Sequence, residues 1–157
     1  MFIINILITG IIATFIFDIF QISLSYAYSI NKSRWNLIGR YFVGLFYGKY
    51  IQEDLENENE INYELFIGYV IHYIIGIVFA FFYITLNLLL FEQPSIILAL
   101  IVGFLTVLGG WCILMPFAFN IGYFAMKQDN QKKLLVQNLI AHFIFGIGLY
   151  FGYLITI

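Results

Sequence analysis

A single cysteine, Cys112, stands in this sequence of 157 residues. No intrachain disulfide can form from it, and there is no cysteine cluster to hold zinc. It lies in an apolar run, where a buried structural thiol is the plain reading and a reactive thiol the alternative. Charge is scarce too: only 10% of residues are Asp, Glu, Lys or Arg, against about a quarter in soluble domains. A net charge of -2 offers no basic surface for nucleic acid. Catalytic signatures are also missing, with no GxSxG, HExxH, phosphate loop or CxxC. No serine lies on the histidine-bearing faces, which removes a serine–histidine hydrolase. The opening MFIINILITG has no positive charge and no small-residue cleavage site after it, so it reads as a retained first span rather than a signal peptide.

What the sequence has in abundance is apolar side chains, 62% of the total, and its mean hydropathy is +0.94. A soluble fold of this length keeps about a third of its chain's surface wet and could not hide them. Lipid is the solvent that tolerates this composition. Four stretches reach the ~20 apolar residues needed to cross a bilayer core, at about 2–26, 65–91, 95–124 and 134–157. Their many Ile, Phe and Tyr residues favour strands in water. In lipid a lone span must satisfy its backbone internally, and only a helix can do so. The runs show no period-two alternation, which argues against a barrel. The expected fold is therefore all-α: an integral membrane four-helix bundle forming one transmembrane domain over residues 1–157.

The connections differ. Glu92-Gln93-Pro94 makes a tight hairpin between spans two and three, and a short basic loop over 125–133 joins spans three and four. The first loop, 27–64, is long. Its segment at about 37–51, with YFVGLFYGKYI following Trp35 and Arg40, reads as an interfacial helix with aromatic anchors. The stretch 52–64 carries Glu53, Asp54, Glu56, Glu58, Glu60 and Glu64 and reads as a solvated loop, with a metal or partner site as the alternative. Lys32, Arg34, Arg40 and Lys49 lie in the first loop and Lys127, Lys132 and Lys133 in the third, which accounts for all seven basic residues. The positive-inside rule then places both loops in the cytoplasm and both termini outside, in the periplasm if the membrane is a bacterial inner membrane.

Two motifs repeat at the same place in their spans, HYIIGI at 72–77 and HFIFGI at 142–147. With a weaker match between 10–14 and 103–106, they suggest two related helical hairpins, a parallel internal repeat, with chance likeness between apolar segments as the rival. Each span also carries a stripe of small or polar residues three and four apart, which share one helix face. Gly10, Gly76, Gly103 and Gly146 lie on these stripes, and Gly148 and Gly152 form a separate GxxxG. Small residues let helices approach closely and polar ones pair across the contact. Pro116 predicts a kink in span three.

Asp18, His72 and His142 are the residues that could carry chemistry. Ionisable groups within a span cost about 2.5–3.5 kcal/mol on insertion scales and turn inward to partners. Counted from the proposed cytoplasmic ends, all three lie roughly 10–14 Å deep at ~1.5 Å per residue. With Asn138 and Thr14 nearby they could form one polar cluster. It reads as a structural hydrogen-bonded knot, as a site for an ion, a proton or a polar substrate, or, for His72 and His142, as the axial ligands of a haem b.

Several of these segments also resemble a known group. GIIATFIFDIF at 10–20, LIGRYFVGLFYGKY at 37–50, GYVIHYIIGIVFAF at 68–81 and the run 93–150 are similar to the bacterial membrane family catalogued as domain of unknown function 2938. One departure is Gly109-Gly110-Trp111, where the family pattern has Ala-Pro-Phe. The resemblance implies a four-span bacterial inner-membrane protein and brings no reaction or catalytic residue with it. The expected function is non-enzymatic: a small transporter-like unit or an accessory or assembly subunit in the bilayer, self-associating or joined to a membrane-protein partner. The alternative is a membrane redox protein holding haem between His72 and His142.

Overall fold

The computed structural model describes residues 1–28 and 33–157. Lys32 and the other residues of 29–32 lie outside the described residues. Among the described residues the fold is all-helical, with five α-helices: α1 (Phe2–Tyr28), α2 (Trp35–Phe46), α3 (Glu64–Leu90), α4 (Ile96–Gly109) and α5 (Gln131–Thr156). A π-helical segment, Gly110–Ala118, continues α4, and a single 3-10 turn, Tyr123–Ala125, follows it. Among the described residues there is no β-strand. Among the described residues, four helices are long and apolar enough to cross a membrane: Phe2–Ala27, Glu64–Leu90, Ile96–Ala118 and Gln131–Thr156. The strand preference of their Ile and Phe residues has lost, as internal backbone satisfaction requires.

The third span departs from expectation in form and in length. Pro116 has no N–H, and in an α-helix its ring would press on the carbonyl of Cys112, one turn back. The backbone answers by widening to the π register from Gly110 onwards, with Phe119 N–H donating to the Leu114 carbonyl at 3.0 Å, five residues back. The helix then stops at Ala118 and not near residue 124. Asn120, Phe124 and Ala125 all take left-handed backbone angles, as does Gly122 at φ +78°, and such a run cannot continue a right-handed helix.

The chain divides into two compact units. The first comprises the described residues of Met1–Lys32, together with Tyr73–Thr106 and Leu139–Ile157. Its helices meet backbone to backbone. A Cβ placed on Gly10 of α1 would lie 2.6 Å from the Ile77 Cα of α3, and one on Gly76 would strike the Thr14 hydroxyl. On α4, a Cβ at Gly103 would sit 2.8 Å from the Gly146 Cα of α5, and one at Gly146 would sit 2.8 Å from the Ala99 carbonyl. Gly148 and Gly152 of α5 bring Ala13 and Thr9 of α1 equally near. Tyr83, Ile84, Leu149, Thr9 and Thr14 fill the interior and are fully buried. The turn between α3 and α4 is tied by Asn87, which accepts from Ser95 N–H at 2.8 Å and donates to the Gln93 carbonyl at 3.3 Å. Ser95 in turn caps α4, its hydroxyl oxygen accepting from Leu98 N–H.

The second unit comprises Ser33–His72 and Val107–Asn138. Here α2 turns Leu37 and Tyr41 onto Leu55 and Ala118, with Phe42, Leu45, Leu114, Phe117 and Phe119 packed around them. The helix, read from sequence over about 37–51, ends at Phe46. Gly48 takes φ +77° and turns the chain so that Lys49 N–H reaches back to the Gly44 carbonyl at 3.0 Å. Helices α2 and α3 cross at Gly39 and Gly68, where a side chain would collide with the backbone of Glu64 and of Trp35.

Candidate functional site: the polar residues of the helices

His142 is the best-defined polar residue of the first unit. The close approach of α4 to α5 at Gly103 and Gly146 carries Thr106, one turn beyond Gly103, to the imidazole. Thr106 Oγ1 lies 2.6 Å from His142 Nδ1 and 2.5 Å from the Gly103 carbonyl oxygen. A threonine hydroxyl has one proton to donate, and a carbonyl oxygen can only accept. That proton therefore goes to Gly103, and the His142 contact must be an Nδ1–H donating to the hydroxyl oxygen. In the neutral ring Nε2 is then the acceptor nitrogen. Helix α1 adds Phe17, whose ring stands edge-on to the imidazole with centroids 5.4 Å apart. Asp18, next along α1, is half-buried in the same unit. Thr14 is fully buried, and its hydroxyl donates to the Gly10 carbonyl at 2.8 Å, a bond within its own helix.

His72 belongs to the second unit, as does the half-buried Asn138. Its ring lies flat on the Trp35 indole, centroids 3.8 Å apart and planes 22° from parallel. Trp35 opens α2, and the Gly68 contact with the Trp35 carbonyl holds the indole one turn before His72 on α3. Of the five residues singled out from sequence, the structure thus sets Thr14, Asp18 and His142 in one unit and His72 and Asn138 in the other. Among the described residues, no three His, Cys, Asp or Glu side chains gather as a metal would need.

Sequence reasoning missed the strongest electrostatic feature. Arg40, counted only as one of the basic residues of the first loop, is 5% exposed. Its guanidinium makes a two-pronged contact with Glu64, Nε to Oε2 at 2.8 Å and Nη2 to Oε1 at 2.9 Å. Nη1 donates to the Leu55 carbonyl at 2.9 Å and the Glu58 carbonyl at 2.6 Å, and Asn36 donates to Glu64 Oε1 at 3.1 Å. The Glu64 hydrogen bond holds Arg40 above its already high usual pKa, against the opposing pull of burial. The end of the acidic stretch is therefore bound to α2. A signal was available: Arg40 sits on the apolar face of α2 among Leu37, Tyr41 and Gly44, where an unpaired cation could not stay. Thr106 had a weaker signal, its place on the small-residue stripe of span three.

The arrangement offers hydrogen-bonding and stacking groups within membrane-capable helices, and a fully paired cation in the segment between them. No curated protein and no solved structure matches the chain. The model of a family described as "Protein of unknown function (DUF2938)" matches residues 7–156, nearly the whole length. The chain belongs to that family.

Proposed function

We propose that this multi-pass membrane protein is a non-enzymatic accessory or assembly subunit of a bacterial inner membrane, acting through its lipid-facing helix surfaces. The observation that carries this reading is the packing of the first unit. Its helix backbones touch through glycine, and its interior is taken up by Tyr83, Ile84 and Leu149. Large apolar side chains such as Ile3, Phe15, Ile74, Phe104 and Phe151 point outward instead. Such a body has its surface to offer to lipid, to a second copy or to a membrane partner. The hydrogen bond between Thr106 and His142 serves to set the register of α4 on α5. The basic residues support an orientation with loops 27–64 and 125–133 in the cytoplasm and both ends outside. HYIIGI and HFIFGI support descent of the two hairpins from one.

Crosslinking in native membranes tests the proposal: a dimer or a discrete heteromeric band is expected, and monomer alone at every expression level would overturn it. Asp18→Asn separates it from a transporter-like role, since loss of an ion- or proton-linked phenotype with the fold intact would favour transport. The haem reading has its own measurement. A Soret band in purified protein, lost in both His72→Ala and His142→Ala, would replace the accessory reading.

A further inference from the structure

The apolar stripe of α2 is consumed inside the protein, on Leu55 and Ala118. What this segment leaves outside is the turn that follows it. Phe46, Tyr47, Tyr50 and Ile51 are 89%, 80%, 68% and 64% exposed, the densest run of exposed large apolar groups among the described residues between α1 and α3. The turn is not loosely held. Tyr47 and Lys49 N–H groups both reach the Gly44 carbonyl at 3.0 Å, and Tyr41 Oη donates to the Tyr50 carbonyl at 3.2 Å. Directly after it, Gln52 is buried, and its N–H donates to the Phe117 carbonyl at 2.8 Å. Phe117 lies in the last turn of the third span, Ile96–Ala118. The backbone of Ile51 is thus fastened to the point where a membrane helix ends.

From this we propose that the turn 46–51 is a membrane anchor whose Phe46, Tyr47, Tyr50 and Ile51 side chains insert into the headgroup–acyl boundary of the bilayer. Three observations select lipid over a protein partner. The tie to Phe117 sets the turn at the level of a span's end, which is where the interface lies. The side chains are two tyrosines between a phenylalanine and an isoleucine, the amphipathic ring chemistry enriched at that depth. Other exposed tyrosines of the same unit, Tyr63 before α3 and Tyr123 after the third span, also stand at span ends, as members of an aromatic belt do. The sequence suggested a whole interfacial helix; the structure confines the exposed apolar contact to a turn of six residues. The inference does not depend on the accessory role proposed above.

The test uses full-length protein carrying Cys112→Ser, with one nitroxide label at Phe46→Cys, Tyr50→Cys or, as a solvated control, Asn59→Cys. Each is reconstituted into phosphatidylcholine vesicles, so that lipid and other copies of the chain are the only partners. Collision rates with oxygen, which concentrates in lipid, and with a water-soluble nickel complex report depth. An oxygen-to-nickel ratio several-fold higher at 46 and 50 than at 59, unchanged when the protein is diluted into more lipid, supports the anchor. A ratio at 46 and 50 equal to that at 59 overturns it. So does exclusion of both reagents, or spin–spin broadening that vanishes on dilution, because protein and not lipid would then cover the turn.

Discussion

The contact between Thr106 and His142 is a hydrogen bond between two membrane-capable helices, and its worth sets an expected mutational cost. Such bonds average about 0.6 kcal/mol in membranes, whereas leaving a buried donor unsatisfied costs about 1–3 kcal/mol. Thr106→Val keeps the shape and strands the Nδ1–H, so a loss of about 1 kcal/mol is expected in detergent unfolding. Thr106→Ser keeps the hydroxyl and should restore most of that loss. If Val and Ser behave alike, the bond contributes nothing. Arg40 lies at the other end of the scale. Glu64→Gln leaves a buried guanidinium without its carboxylate, and breaking a buried pair from one side costs about 3–5 kcal/mol. The double change Arg40→Met with Glu64→Leu should recover much of this, because an apolar pair leaves no uncompensated charge. Thermal unfolding of the two variants side by side measures the difference.

Helices α1 and α5 approach through Gly148 and Gly152, and the space there is already full. A methyl group on Gly148 would lie 2.8 Å from the Cα of Ala13, backbone that cannot swing aside. Gly148→Ala should therefore force the helices apart and destabilise the first unit by about 1–3 kcal/mol, the range for overpacking. Gly109 supplies the contrast, since a Cβ there meets nothing within 4 Å. Gly109→Ala should instead stabilise slightly, by about 0.4–1 kcal/mol, as removing a glycine from a helical backbone with room for the methyl does. Equal effects at the two positions would mean that the close approach is not what stabilises α1 on α5. The same scale explains the third span, where one proline converts an expected α-helix into a π-helical end.

For the molecule as a whole, the testable property is orientation in the bilayer. With Cys112→Ser as background, a single cysteine at Asn59 or Gln128 should react with a membrane-impermeant maleimide only after the cytoplasmic side is exposed. A cysteine at Gln93, in the α3–α4 turn, should react from the opposite side. Labelling of all three from one side would refute the four-span arrangement, and labelling with the sides exchanged would refute the basic-residue argument.

Number of spans, helical state and family membership were legible in residue order. Length and apolarity along the chain are local quantities, and a bilayer admits one solution to the hydrogen bonding of a lone span. The stripes were legible for the same reason, because helical periodicity tells which residues share a face. It does not tell which residue of another helix that face will meet. Thr106 lies 36 positions from His142, and Arg40 lies 24 positions from Glu64. Those partnerships, and the stacking of Trp35 on His72, depend on where glycines allow two backbones to touch and at what register. The fate of Arg40 shows the difference most plainly. Counted along the chain it is one more basic residue of a loop; folded, it is a buried cation whose charge is matched by the end of the acidic stretch, because apolar packing of α2 left its guanidinium no route to water.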